Sequence, residues 1–360
     1  MKTSGLLMST IVAVAICSCS DKNGAQNEVA LEGQIVNLEE NEGKYIWWMF
    51  GDKAYAVDGN KFDVYCGDLT KTEWKKAEKV FTYGHGHNEF GVIALSQDKT
   101  GTLYVLDRPF KIDKLLSFTK IPHSASIASV KDQTKWEKYD LMQLPPFFCM
   151  GENFDIISDS TILVLGAPAN DLKHVFSIVN FKNQTVTPLS YWPDDDTPEN
   201  STFEKMYSYA GDTGMNSNGN GKYLYWNKRG KLAYIFTIDG VKINILTYLY
   251  NGHIRVTRTD KHSLESISCC SDNDRIYLLY KDLNSKGEKM EKFDLKDPFP
   301  MGNTIEVYDW DGVKQQVIHL DKLGRSIMLS KDSKTIFLNS EFMRDGSEPY
   351  IYSYDLSSLK

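Results

Sequence analysis

Groups of three short apolar or alternating runs, separated by tight polar turns, recur down this chain, and that recurrence limits the fold more than any single residue does. Residues 44–50, 54–57 and 62–66 form the first group, with Gly51-Asp52 and Asp58-Gly59-Asn60 between the runs. Residues 91–96, 102–107 and 114–118 form a second, and 154–157, 161–165 and 175–181 a third. Residues 223–226, 232–238 and 243–250 form a fourth. A fifth comprises 264–270, 275–280 and 304–309, extended by 316–320; a sixth comprises 326–329, 335–339 and 350–354.

The shared unit is an apolar strand, an Asp-containing turn and a strand of the type x-Ile/Leu-Tyr/Phe-x-Leu. It reads Gly101-Thr102-Leu103-Tyr104-Val105-Leu106-Asp107, then Asp274-Arg275-Ile276-Tyr277-Leu278-Leu279, then Lys334-Thr335-Ile336-Phe337-Leu338-Asn339. A strand covered on both faces is apolar at every position, and a hairpin needs Asp, Asn or Gly at its turn. One or two β-sandwiches would also give short strands and turns. Six units without a linker between halves instead predict an all-β chain folded as a six-bladed β-propeller of mostly four-stranded antiparallel blades. Helical spacing is confined to residues 71–79 and 201–207.

The N-terminus reads as an export signal. Lys2 precedes an apolar stretch over residues 6–16, then Ile16-Cys17-Ser18-Cys19 and an abruptly polar Ser20-Asp21-Lys22-Asn23-Gly24. The stretch is far shorter than the ~20 residues a spanning helix needs, which favours a removable signal peptide over residues 1–18. Ile16-Cys17-Ser18-Cys19 resembles a bacterial lipobox, which makes Cys19 the expected lipidation site. Lipid chains buried at about 0.8 kcal/mol per methylene anchor a protein without a transmembrane segment. Polar, small residues then form an expected tether over 19–29, with the propeller over 30–360. The expected location is the cell envelope, lipid-anchored at an outer membrane and facing the periplasm or the surface.

Charge narrows the partners. Removing residues 1–18 takes away one basic residue, Lys2, and leaves 40 basic against 48 acidic side chains. Such a surface excludes nucleic acid as an expected partner, because binding it needs a basic footprint. Of the remaining cysteines, Cys66, Cys149, Cys269 and Cys270 lack the paired C-x-x-C spacing of a zinc site. They read as small buried hydrophobes, with a vicinal Cys269–Cys270 disulfide as the alternative.

Val80-Phe81-Thr82-Tyr83-Gly84-His85-Gly86-His87-Asn88-Glu89-Phe90, followed by the apolar strand and Gly101-Thr102-Leu103-Tyr104-Val105-Leu106-Asp107, resembles the blade of six-bladed NHL and TolB-like propellers. Residues 301–312 and 318–321 resemble the closing blades of that group. With the lipobox and tether, the chain most resembles the TolB-like lipoproteins of Bacteroidetes. The resemblance implies a fold and a location. It carries over no catalytic residue.

His85, His87 and Glu89 are the candidate ligand-binding residues, because a His-x-His pair presents two imidazoles on one side of an extended strand. Two His and one Glu supply three ligands at most, so no metal site and no cofactor are assigned. Asp194-Asp195-Asp196 lacks the spacing of a calcium loop and reads as a solvated turn. Residues 207–221 read as a long Gly- and Asn-rich connection, and their glycines lack the Lys-Ser/Thr of a phosphate loop. No G-x-S-x-G elbow is present, so no catalytic residues are assigned. Trp47, Trp48, Trp192 and Trp226 are candidates to stack on a sugar.

The expected function is therefore a membrane-anchored, non-catalytic module that binds a ligand or protein, its partner an unknown protein or glycan of the envelope. The alternative is a metal-dependent, lactonase- or lyase-like propeller enzyme. Acidic or His side chains converging on the axis would mark that alternative. A structural assembly lipoprotein, the third reading, would expose an apolar patch on the rim.

Overall fold

The computed structural model describes residues 27–359 except 42, 85, 87, 109–114, 116, 123, 125, 195–201, 212, 228–231, 253–265, 281–300 and 341–349. The signal peptide and Cys19 lie outside the described residues. The described residues form six sheets. The N-terminus supplies β1 (Asn27–Leu31) and β2 (Gln34–Ile35). Blade 1 follows as β3 (Lys44–Phe50), β4 (Lys53–Asp58), β5 (Val64–Asp68), β6 (Glu78–Tyr83) and the short β7 (Glu89–Phe90). Blade 2 is β8 (Val92–Gln97), β9 (Leu103–Arg108), β10 (Ser117–Ile121) and β11 (Glu137–Asp140). Blade 3 is β12 (Phe147–Ser158), β13 (Thr161–Pro168), β14 (Phe176–Asn180) and β15 (Thr185–Pro188).

Blade 4 is β16 (Thr213–Ser217), β17 (Tyr223–Asn227), β18 (Leu232–Asp239) and β19 (Lys242–Asn251). Blade 5 is β20 (Ser266–Ser271), β21 (Arg275–Tyr280), β22 (Gly302–Asp309) and β23 (Lys314–Gly324), with β1 added in parallel to β23. Blade 6 is β24 (Ser326–Leu329), β25 (Thr335–Ser340) and β26 (Tyr350–Asp355), completed by β2 antiparallel to β26. The innermost strands touch in the cyclic order β3, β8, β12, β16, β20, β24 and back to β3. This closed ring makes the chain a six-bladed β-propeller.

The six quasi-repeats of the sequence are the six blades. Their middle strands are apolar throughout because neighbouring blades cover both faces; every residue of β17 is buried, and so are residues 162–168 of β13. The recurring turn has a common construction. The side-chain oxygens of Asp98, Asn218 and Asp309 each accept from the backbone N–H groups two and four residues on, at 2.8–3.1 Å. The N–H of each also donates to the carbonyl four residues on. The residue in third place after each is Gly101, Gly221 or Gly312, at φ +80°, +86° and +84°. The left-handed conformation there disfavours any residue with a Cβ.

Ring closure falls to the N-terminus. Residues 27–29, read from sequence as tether, are instead paired within blade 5. Between β1 and β2 the Gly33 N–H donates to Asp321 Oδ1 at 2.9 Å, and the Tyr354 hydroxyl donates to the same oxygen at 3.0 Å. Burial raises the Asp321 pKa, but these donors and Lys322 outweigh it and hold the carboxyl below its ordinary value.

Two local expectations need correction. Residues 71–79 are not a helix: Glu73 and Trp74 form isolated bridges to Asn37 and Leu69, and β6 begins at Glu78. Trp74 is buried against Val36, Ile46 and Ala54, and this packing overrides the helical spacing. The connection expected over 207–221 holds the end of α2 (Thr202–Ala210) and all of β16. The helix expected near 201–207 is α2.

Candidate functional site

Because successive strands of each blade alternate in direction, all inner strands begin at one face of the ring and end at the other. The face where they begin carries a cleft of about 200 Å³ between blades 1 and 2. Three local irregularities shape it.

The first is a β-bulge. Ile46 pairs with Ala56 and Trp48 with Tyr55, leaving Trp47 as the extra residue of β3. In a regular strand Ile46 and Trp48 would share a face. With the bulge, Ile46 packs toward Met328 and Phe337 of blade 6, while Trp48 packs toward Ile93 of blade 2. Trp47 itself lines the cleft at 52% exposure. Such re-aiming of a side chain is a common use of bulges.

The second is the turn between β4 and β5. Asp58 Oδ1 accepts from Asn60 and Lys61 N–H at 2.8 and 3.0 Å, and Phe62 N–H donates to Asp58 O. In this turn, one residue longer than the recurring one, Phe62 has a left-handed backbone, φ +59°. An aromatic residue there is a conformational outlier. Its ring, half exposed, lines the cleft beside Tyr83, with centroids 5.4 Å apart.

The third is the connection after Tyr83, where β7 turns back parallel to β6 and pairs Tyr83 with Phe90. Glu89 closes this connection on itself. Its Oε2 accepts from Gly86 N–H at 2.7 Å, and a Cβ on Gly84 would fall 2.1 Å from that oxygen. Glu89 thus braces its own loop, which borders the cleft through Phe90 and Gly91. His85 and His87 lie outside the described residues. Behind the loop, Lys138 donates to Asn88 Oδ1 and lies 5.4 Å over the Phe90 ring. Burial there pulls the Lys138 pKa below its ordinary value.

Of the four tryptophans singled out in the sequence, only Trp47 is exposed. Trp48 and Trp226 are buried, and Trp192 is half-buried beneath Lys205, whose Nζ lies 5.0 Å from its ring. Asp194 is exposed, and Asp195 and Asp196 lie outside the described residues. Cys66, Cys269 and Cys270 are free. Burial pushes the Cys66 thiol up to about 12 and raises Cys269 and Cys270 as well, so these are poor nucleophiles. The vicinal disulfide is not formed: Cys269 packs toward blade 4 and Cys270 toward blade 6, on opposite faces of β20.

The opposite face has a wider polar mouth, about 770 Å³, walled by the turns after the inner strands. Three of its charged side chains are engaged with the turns. Asp272 Oδ1 accepts from Asp274 and Arg275 N–H, Asp332 accepts from Lys334 N–H, and Lys99 Nζ donates to Asn220 Oδ1 at 2.9 Å. Among the described residues no three His, Cys, Asp or Glu side chains gather as a metal site would require.

Comparison with protein families and with curated proteins returns no match. The fold does resemble solved structures. One is a luciferin-regenerating enzyme: TM-score 0.44, 8% identity, covering 91% of this chain and 96% of that one. Another is an auxiliary nutrient binding protein from Bacteroides thetaiotaomicron: TM-score 0.48, 8% identity, 87% and 69% covered. A third is the β-propeller domain of Cps50 (Swd1) from Myceliophteria thermophila: TM-score 0.45, 10% identity, 89% and 99% covered. All three are likenesses of backbone architecture.

Proposed function

We propose that this protein is a lipid-anchored binding module of the cell envelope that seats its ligand, without chemical change, in the cleft between blades 1 and 2. One observation carries the reading: a bulge and a left-handed aromatic residue, both locally unfavourable, hold Trp47 and Phe62 half exposed at the same cleft. Outliers of this kind cluster at ligand sites, where the surrounding structure maintains them. His85 and His87, which flank Gly86 in the sequence, are proposed as further ligand contacts. The lipobox supports anchoring through Cys19, and with the blade motif of residues 80–107 it supports affiliation with the TolB-like lipoproteins of Bacteroidetes.

A ligand screen read by thermal shift tests the binding reading. Stabilisation by a hit should vanish in Trp47→Ala and persist in Tyr248→Ala, a substitution of an exposed side chain on the outer strand β19. Persistence in Trp47→Ala would move the site elsewhere. Elemental mass spectrometry before and after chelation addresses the enzyme alternative, because one tightly held equivalent of calcium or zinc would replace the present reading. Incorporation of labelled palmitate, lost in Cys19→Ala, tests the anchor.

A further inference from the structure

We infer that the cleft takes a small uncharged aromatic compound, on the order of ten non-hydrogen atoms at interior packing density, and not a carbohydrate. The inference rests on the cleft being the ligand site and adds the class of ligand.

Size is the first argument. The cleft holds about 200 Å³, below the roughly 300–1,000 Å³ of pockets that enclose drug-sized ligands. A one- or two-ring compound fills it.

The polar groups around it supply the second argument. A sugar stacked on an aromatic face still carries hydroxyls around its rim, and burying them without partners costs about 1–3 kcal/mol each. Sites that bind sugars therefore surround the stacking face with donors and acceptors. Here the backbone N–H groups bordering the cleft are turned inward to carboxylates and a carbonyl of the fold. Tyr83 N–H donates to Asp63 Oδ1 at 2.9 Å, and Gly91 N–H donates to Asp107 Oδ1 at 2.9 Å. Asn60 and Lys61 N–H are held by Asp58, and Gly84 N–H by Phe90 O at 2.9 Å. Besides the side-chain hydroxyls of Tyr45, Thr82 and Tyr83 and the Trp47 indole N–H, the walls are mainly apolar surface with the faces and edges of Trp47, Phe62 and Tyr83, which suit offset or tilted packing of another ring.

Charge supplies the third. Among the described residues Asp58 is the only carboxylate, Lys, Arg or His lining the cleft, and its Oδ1 already accepts two backbone hydrogen bonds. An anion would be repelled there, and a cation would be stripped of water against apolar walls with one partly committed counter-ion.

Saturation-transfer NMR and calorimetry on the purified protein test this, with indole and 2-naphthol as aromatic probes and methyl β-glucoside and methyl β-galactoside as sugar probes. We expect both aromatic probes to bind, both glycosides to give no signal, and Trp47→Ala to weaken aromatic binding at least tenfold while Tyr248→Ala leaves it unchanged. Glycoside binding sensitive to Trp47→Ala, with no aromatic binding, would overturn the ligand class and leave the cleft as the ligand site. Absence of any Trp47-sensitive binding at millimolar concentration would overturn the class and the site together.

Discussion

Phe62 stands with its ring centroid 5.4 Å from that of Tyr83, on a backbone at φ +59°. That left-handed backbone disfavours a bulky side chain, yet it holds the Phe62 ring at the lining of the cleft. Phe62→Ala and Phe62→Gly both remove the ring, yet only glycine relieves the left-handed strain. We expect the glycine variant to be more stable than the alanine variant by about 1 kcal/mol, with ligand binding lost in both. Urea denaturation of the pair measures this. Equal stability, or alanine the more stable, would mean that Phe62 carries no strain.

The turn glycines separate two effects that are usually confounded. A Cβ on Gly101 would meet nothing within 4 Å, whereas one on Gly312 would fall 2.5 Å from Thr247 Cγ2. Gly101→Ala should therefore cost only the left-handed backbone term, about 1–2 kcal/mol. Gly312→Ala should cost that plus the overpacking of Thr247, up to a further 1–3 kcal/mol. A smaller loss for Gly312→Ala than for Gly101→Ala in thermal melts would contradict the shared construction of these turns.

How far the fold could be read from sequence follows from where each strand lies. Most inner and middle strands, β16 excepted, are legible because burial on both faces leaves continuous apolar runs, as at Leu163-Val164-Leu165. Outer strands β11 and β15 were missed because one face is solvated, and Glu137-Lys138-Tyr139-Asp140 carries no apolar pattern to find. β16 was read as a connection since Thr213-Gly214-Met215-Asn216-Ser217 is small and polar; Gly214 is required where the Trp226 ring lies 2.2 Å from any Cβ. The cleft was half legible. Trp47, a stacking candidate from its residue type, lines the cleft, but a bulge between Ile46 and Trp48 leaves no mark in composition or period. Phe62 had one available signal: a bulky residue where Asp58-Gly59-Asn60-Lys61 would lead one to expect another glycine.

Ring closure depends on a residue with no side chain. A Cβ on Gly33 would lie 2.7 Å from the Tyr354 ring, which is fully buried between the two closing blades. Gly33→Val should destabilise the protein by about 1–3 kcal/mol through overpacking. In a Tyr354→Leu background the same change should cost less, because the residues touch and their effects couple. Strict additivity of the two substitutions would show that β1 and β2 accommodate the side chain without pressing on the ring.

Asp155 should respond to pH in the opposite sense to Asp321. It lies on the inner strand β12, where burial raises its pKa and hydrogen bonds from Ser217 and the Ile156 N–H offset part of that rise. A folded-state pKa above the unfolded value makes the protein's affinity for a proton greater when folded. Asp155 therefore imposes no penalty below its unfolded pKa of about 3.9, and an increasing one as pH rises through the folded value. Asn cannot ionise and retains an acceptor for Ser217. We expect Asp155→Asn to be more stable than the parent protein at pH 7 and no more stable at pH 3. Because Asp321 and Asp98, with depressed pKa values, weaken the parent and the variant alike as pH falls, the quantity to compare is the difference in melting temperature between the two proteins at each pH. The same difference at both pH values would mean that Asn improves packing and that the buried charge is not what destabilises this interface between blades 3 and 4.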